Sequence, residues 1–257
     1  MAAAQIPVAS DAAGGSTSGM PHSLLQFDDD EALSTHVAAR WIDWIDASAR
    51  SGIAHRVALP GGRITRKVLA ATAAGSTRRG VSLAGVDIFW GDERCVAPDD
   101  PESNFRLARE ALFEPASVPP ARVYRIRGEI DPPEAAREAE AKLRAVAGAK
   151  PEEQPVLDLV FLGLGEDGHV ASLFPGAPAE ITESRLAYVP VVGPKPPPRR
   201  VSLTYAAIAA AREVWVLASG AGKQEALRLS LGAGSTPLAR VIAGHPRTLV
   251  FTDIKAR

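Results

Sequence analysis

The residues best equipped for chemistry fall in three short clusters, each directly after a run of apolar side chains. Val57-Ala58-Leu59 leads into Pro60-Gly61-Gly62-Arg63, Ile88-Phe89-Trp90 into Gly91-Asp92-Glu93-Arg94, and Leu159-Val160-Phe161-Leu162 into Gly163-Leu164-Gly165-Glu166-Asp167-Gly168-His169. In the third cluster Asp167 stands two residues before His169. A carboxylate there can fix the imidazole tautomer and raise its basicity, leaving the other ring nitrogen free to act as a general base. In the first cluster, paired glycines let the backbone approach a ligand closely, and the start of a following helix offers unpaired N–H groups, an arrangement that suits a phosphate. A tight strand-to-helix turn with no ligand fits that loop alone equally well. The second cluster has three successive charges that cannot all face one way, so some must pair or cap. Arg94 has the planar donor fork to hold a phosphate or a developing oxyanion, whereas a plain solvated turn is the alternative.

Other chemistries are poorly served. The first loop lacks the Gly-Lys-Ser/Thr ending of a nucleotide phosphate loop and the third glycine of a dinucleotide fingerprint. No Gly-x-Ser-x-Gly elbow occurs, and Cys95 has no histidine partner nearby in sequence. His22, His36, His55, His169 and His245 are scattered, so no metal site is expected.

The apolar runs at 55–59, 86–90, 157–162, 214–218 and 248–251 predict strands, with weaker candidates at 122–126 and 186–192. Most are apolar throughout, the pattern of strands covered on both faces. A first helix from Asp30 to about Ser51-Gly52 carries Leu33, Val37, Trp41, Trp44 and Ile45 on one face. Further helices are predicted over 63–73, 104–113, 132–146, 169–174 and 222–231. Alternation of this kind predicts an α/β fold, a three-layer α/β/α sandwich with a mainly parallel, Rossmann-like central sheet. The three clusters then share the carboxyl edge of that sheet, where ligands bind beside a topological switch point.

Residues 1–22, rich in Ala, Gly and Ser with Asp11 as their one charged side chain, read as a disordered leader, and 23–257 as one catalytic domain. The first 20 residues lack the basic start and apolar run of a signal peptide. Across 257 residues, 46% are hydrophobic and 23% charged, as in ordinary soluble proteins. No apolar stretch approaches the ~18 residues needed to cross a membrane. A net charge of -1 gives no reason to expect a nucleic-acid partner. The single cysteine fits a reducing, cytoplasmic setting. No obligate protein partner is implied.

The clusters resemble the glucosamine-6-phosphate isomerase/6-phosphogluconolactonase family. The likeness lies in Phe89-Trp90-Gly91-Asp92-Glu93-Arg94-Cys95-Val96 with Ser103-Asn104-Phe105, in Leu162 to His169 followed by Ala171-Ser172-Leu173-Phe174-Pro175-Gly176, and in Pro194-Lys195-Pro196-Pro197-Pro198 running into Arg200-Val201-Ser202-Leu203-Thr204. It extends from about residue 24 to the end. It implies hydrolysis of 6-phospho-D-glucono-1,5-lactone in the oxidative pentose phosphate pathway, with a sugar phosphate lactone as ligand and no cofactor. Carried over by position, His169 is the base, Asp167 its loop partner and Arg94 a substrate-site group. Lys195 and Arg200 help hold the phosphate alongside Gly61 and Gly62, and Asp92 and Gly168 complete the expected substrate contacts. One departure matters: where the family usually has a Ser-Gly-Gly-Ser-Thr-Pro type loop, this chain has Pro60-Gly61-Gly62-Arg63-Ile64-Thr65. Arg63 is expected to supply charge in place of the missing hydroxyls. Gly234-Ser235-Thr236-Pro237 resembles the missing loop but follows the last long predicted helix, and no role is expected of it. An aldose–ketose isomerising deaminase wants a carboxylate soon after the histidine, and none occurs before Glu180. A sugar-phosphate-sensing regulator wants a DNA-binding helix pair at the amino end, where this chain has a polar leader.

Overall fold

The computed structural model describes residues 22–232 and 234–255. In chain order the elements are β1 (His22–Gln26), α1 (Asp30–Arg50), β2 (His55–Leu59), α2 (Arg63–Arg79), β3 (Val86–Trp90), β4 (Asp92–Arg94), α3 (Asn104–Ala108), α4 (Pro132–Ala147), β5 (Leu159–Gly163), α5 (Ala179–Thr182), β6 (Tyr188–Val192), β7 (Arg199–Leu203), α6 (Tyr205–Ala210), β8 (Glu213–Ala218), α7 (Gln224–Leu231), α8 (Pro237–Gly244) and β9 (Thr248–Thr252). Six strands form one parallel sheet in the order β1-β9-β8-β5-β2-β3, and three form an antiparallel sheet in the order β4-β7-β6. From β2 the chain goes outward to β3, then returns to place β5 on the other side of β2. That reversal opens a crevice between the carboxyl ends of β2 and β5.

The five strong strand predictions all fall in the parallel sheet, and helices flank it as expected of the α/β class. Helix α1 starts at Asp29, whose carboxylate accepts from Glu31 N (3.1 Å) and Ala32 N (2.8 Å), leaving two fewer orphan donors. Its predicted apolar face is buried through Leu33, Val37, Trp41 and Ile45. Trp41 meets Phe161 of β5 edge to face at 5.1 Å, and Trp44 meets Trp215 of β8 at 6.1 Å. These two ring pairs fix the helix across the middle of the sheet.

Several expectations need correction. Asp92-Glu93-Arg94 is not a loop but strand β4, because Gly91 redirects the chain out of the parallel sheet to pair with β7. The Gly91 N–H donates to Leu59 O and its carbonyl accepts from Leu203 N, both at 2.8 Å, so this residue joins the two sheets. The 169–174 segment is a turn, not a helix. Leu173 N bonds Val170 O at 2.9 Å, while the Ser172 amide and hydroxyl are taken by Ser202 Oγ and Asp92 Oδ2. Six residues ahead of Pro175-Gly176 cannot repay helix nucleation once tertiary partners claim those groups. At 122–126 a 3-10 turn, Pro120–Arg122, precedes a single bridge from Val123 to Ile88, since the turn takes the Arg122 and Val123 amides onto Pro119 O (2.9 Å) and Pro120 O (3.1 Å). The helix over 104–113 changes at Arg109 into a π-helical turn, Arg109–Phe113. The leader prediction for 1–22 lies outside the described residues except at His22, which opens β1. Strands β1 and β7 and helices α6 and α8 carry weaker patterns and were not predicted.

Candidate active site

The loops after β2, β5 and β8 and strand β4 enclose a cavity of about 280 Å³ at the carboxyl edge of the parallel sheet. Its wall includes Gly61, Gly62, Arg63, Asp92, Arg94, His169 and Arg200, which are seven of the residues singled out from sequence. Gly163 faces the β2 loop so closely that a Cβ on it would lie 3.8 Å from Gly61 O. The site therefore sits at the switch point itself.

His169 is held on three sides. Its Nδ1 lies 2.5 Å from Asp167 Oδ1, which also accepts from the His169 amide at 3.3 Å. The Phe174 ring lies 4.7 Å away, tilted against the imidazole. Gly165 leaves room for the ring: a Cβ there would stand 2.0 Å from His169 Nδ1, so no other residue type fits without moving it. Burial alone would raise the Asp167 carboxyl, but the hydrogen bond and charge of the His169 ring pull it below the usual range. An ionised Asp167 keeps the proton on Nδ1 and turns the Nε2 lone pair outward. Gly168, with φ of +84°, makes the turn behind this pair rather than a wall of the cavity.

The other ionisable groups divide by what occupies them. Asp92 is buried in the wall, with Ser172 Oγ donating to Oδ2 at 2.7 Å and Asn104 Nδ2 near Oδ1 at 3.4 Å. Arg94 donates through Nη1 to Glu102 O (2.6 Å) and Oε2 (3.2 Å), while its buried Nε has no protein acceptor. Arg200, 6% exposed in its side chain, donates to Pro197 O (3.0 Å) and Lys195 O (3.4 Å), and its Nη1 lies 4.0 Å from Asp92 Oδ2. Burial lowers the guanidinium's pKa, and the Asp92 charge opposes that shift. Lys195 is not part of the wall; its carbonyl fastens Arg200 from an exposed loop. Glu93 is absent from the wall too. Its carboxylate accepts from the amides of Arg94 (2.7 Å), Asn104 (2.8 Å) and Phe105 (2.8 Å) and from Ser103 Oγ (3.2 Å), bracing the start of α3.

Another side of the cavity is built from backbone and cations. Helix α2 begins at Gly62, φ +101°, with no side chain capping its first N–H groups. Those groups carry the positive end of the helix dipole. Arg63 and Lys223 stand beside them in the wall. Lys223 was missed from sequence, although Ser219-Gly220-Ala221-Gly222-Lys223 follows β8 as the other clusters follow β2, β3 and β5. The same glycine-after-buried-strand pattern would have found it. Asp253 fixes this turn, accepting from Ser219 Oγ (2.7 Å) and Gly220 N (2.9 Å). The 234–237 stretch also has a role: Thr236 packs on Gly168 so tightly that a Cβ there would come within 2.8 Å, and Leu238 N donates to Gly168 O at 3.2 Å. It supports the His169 loop from behind.

Cations, a helix N-terminus and a carboxylate-backed histidine thus face one cavity, an arrangement suited to general-base chemistry on a small anionic ligand. The family model described as glucosamine-6-phosphate isomerases/6-phosphogluconolactonase matches residues 28–250, and the chain belongs to that family. A 6-phosphogluconolactonase of Streptomyces coelicolor is 41% identical over 239 residues, covering 89% of this chain and 90% of the relative. One from Mycobacterium tuberculosis is 34% identical, covering 91% and 96%. Among solved structures, the 6-phosphogluconolactonase of Trypanosoma brucei superposes with a TM-score of 0.75 at 30% identity, covering 91% of this chain and 97% of that one. A monomeric glucosamine-6-phosphate deaminase shares the fold, with a TM-score of 0.76 at 19% identity over 90% of this chain and 96% of that one.

Proposed function

We propose that this chain hydrolyses 6-phospho-D-glucono-1,5-lactone to 6-phospho-D-gluconate, a step of the oxidative pentose phosphate pathway, with His169 as general base. The observation that carries the reading is the Asp167–His169 pair facing a cavity whose other side is the uncapped N-terminus of α2 with Arg63 and Lys223. The phosphate sits on the α2 amides, Gly61, Gly62, Arg63 and Lys223. That grip, remote from the reacting carbon, positions the lactone carbonyl near His169. Nε2 takes a proton from water as its oxygen bonds to C1, and the carbonyl electrons move onto the oxyanion. Arg94, in the cavity wall with its Nη1 fastened to Glu102, is the donor at that oxygen. When the oxyanion collapses, the bond from C1 to the ring oxygen breaks and the imidazolium returns its proton to that oxygen. The new carboxylic acid ionises into solvent. Asp92 and Arg200 contact the sugar hydroxyls. Asp167 holds the ring and Gly168 its loop, while Lys195 acts through Arg200.

Residues 23–257 form one catalytic domain in this reading, because one buried cluster runs from Leu33 to Ile254 and the second is only a small satellite of Phe174, Val189 and Val191. The substrate is a small metabolite, and among the described residues no helix is long and apolar enough to cross a membrane. A cytoplasmic site of action follows from that substrate.

The test is hydrolysis of freshly generated 6-phosphogluconolactone near neutral pH. The wild type is expected to exceed the spontaneous rate strongly, and His169→Ala to lose roughly 10²- to 10⁴-fold in kcat. A wild type no faster than the uncatalysed reaction would sink the lactonase reading. A mutant as fast as wild type would sink His169 as the base.

A further inference from the structure

Arg63 stands in the loop that departs from the family pattern the resemblance implies, and its side chain is 64% exposed. A long side chain so exposed has no fixed place unless something holds it. The holder is Asp30, on the first turn of α1 and 33 residues away in sequence: Asp30 Oδ2 accepts from Arg63 Nη1 at 2.7 Å. The other end of the guanidinium lies over the β8–α7 turn, where a Cβ on Gly220 would stand 3.4 Å from Nη2. Lys223 is on that same turn. The second oxygen of Asp30 is occupied by Lys67, whose Nζ lies 2.7 Å from Oδ1. These two cations hold the Asp30 carboxyl below its usual range, Lys67 first and Arg63 second, against a small effect of burial. Lys67 Nζ also lies 3.7 Å from Glu31 Oε2, so the four charges balance within the cluster, and Arg63 is its member held at the cavity.

We propose that Asp30 is a positioning residue for phosphate recognition: it holds Arg63 over the β8–α7 turn so that the guanidinium and Lys223 meet the substrate's phosphate as a preorganised pair, with Lys67 holding the second oxygen of Asp30 in place. This rests on the reading of Arg63 as a phosphate-binding group. The arrangement makes α1, which contributes nothing to the cavity wall, a determinant of selectivity for phosphorylated over unphosphorylated lactone.

Asp30→Asn keeps the shape and the helix cap at Asp29 while weakening the pairing. Immobilising one long side chain in advance is worth about 3- to 10-fold in affinity. Asp30→Asn is therefore expected to raise KM for 6-phosphogluconolactone by about that factor with kcat little changed. The ratio of kcat/KM between phosphorylated lactone and plain glucono-1,5-lactone is expected to fall equally, and competitive inhibition by inorganic phosphate to weaken in parallel. Lys67→Met tests the hold on that second oxygen and is expected to move the same readouts in the same direction by less. In an Arg63→Ala background Asp30→Asn is expected to add nothing, because its action passes through Arg63. Asp30→Ser repeats the test if the Asn variant unfolds. If Arg63→Ala leaves KM unchanged, the reading of Arg63 at the phosphate fails. If Arg63→Ala raises KM but Asp30→Asn does not, that reading stands and the positioning role is overturned. A lower KM in Asp30→Asn would show that Asp30 competes with the phosphate, and an equal effect in both backgrounds would show a structural role; either overturns the proposal.

Discussion

The two edges of the parallel sheet each carry a histidine set among charged neighbours, and the two histidines do opposite things. At the amino edge His55 opens β2 and is buried, and its Nε2 accepts from Trp41 Nε1 at 3.1 Å. Beside it Asp158 accepts from the Arg56 amide (2.8 Å) and side chain (3.2 Å) and pairs with Arg212 at 3.0 Å. There the charged groups are spent on one another, and the one nitrogen of His55 without a partner among the described residues, Nδ1, is buried away from open space. At the carboxyl edge His169 is anchored through one nitrogen, and its side chain stays 22% exposed at a cavity. Residue type does not separate structure from chemistry here. The separation comes from whether the fold leaves a held group with one free valence facing open space.

The broadest way to break this contrast is to delete each ring. His55→Ala removes a buried ring and leaves the Trp41 N–H without an acceptor, so it is expected to cost roughly 2–4 kcal/mol of stability. Its kcat on the folded fraction should stay near wild type. His169→Ala is expected to show the reverse, with a large rate loss and little change in the denaturant midpoint. Chemical denaturation beside steady-state kinetics measures both. A His55→Ala enzyme that is stable but slow would refute the division between the edges.

Gly165 sharpens the contrast from the backbone. A methyl there would stand 2.0 Å from His169 Nδ1 and 2.6 Å from Asp167 Oδ1. Gly165→Ala must therefore swing the ring off its anchor. Misplacement of a catalytic group by about 1 Å can cost on the order of 10²-fold, so with His169 as the proposed base kcat is expected to fall by roughly that factor while Asp167 and His169 both remain. Activity equal to wild type would mean that the Asp167 anchor is dispensable.

What was legible in the sequence follows the same line. The parallel strands could be read because strands covered on both faces are apolar throughout, and the loops after them because glycine and charge seldom follow such runs by accident. Strand β4 was hidden, since Asp92-Glu93-Arg94 is polar in composition and becomes a strand through pairing with β7. The turn at 169–174 was hidden for a related reason: its apolar spacing is compatible with a helix, and the partners that prevent one, Asp92 and Ser202, are 80 and 30 residues from Ser172. Glu93 could not be assigned because its four donors come partly from α3. Local pattern reports burial and breaks, whereas the partners of polar groups are set by the assembled fold.

The finest test concerns pH, because the contrast predicts two buried groups with opposite signs. Burial pushes His55 down from 6.5 to about 4, so the unfolded chain takes up a proton there before the folded one does. The stability tied to a neutral His55 is complete above pH 6.5 and is lost as pH falls toward 4. Burial pushes Glu93 the other way, from 4.5 up to about 7, against the pull of the Asn104, Phe105 and Arg94 amides. The stability tied to a protonated Glu93 is complete below pH 4.5 and is lost as pH rises toward 7. Each contribution has a ceiling of about 3 kcal/mol, and between pH 4.5 and 6.5 they oppose one another. The wild-type denaturant midpoint should vary little across that window. Glu93→Gln removes one side, so its midpoint is expected to fall on acidification from pH 6.5 to 4.5, by roughly 2 kcal/mol in stability. His55→Gln, with an acceptor still within reach of Trp41, should show the opposite slope. Two variants with the wild-type pH dependence would mean that neither group changes its proton affinity on folding, and the amino edge and the β4 brace would lose their distinction as charge-excluding sites.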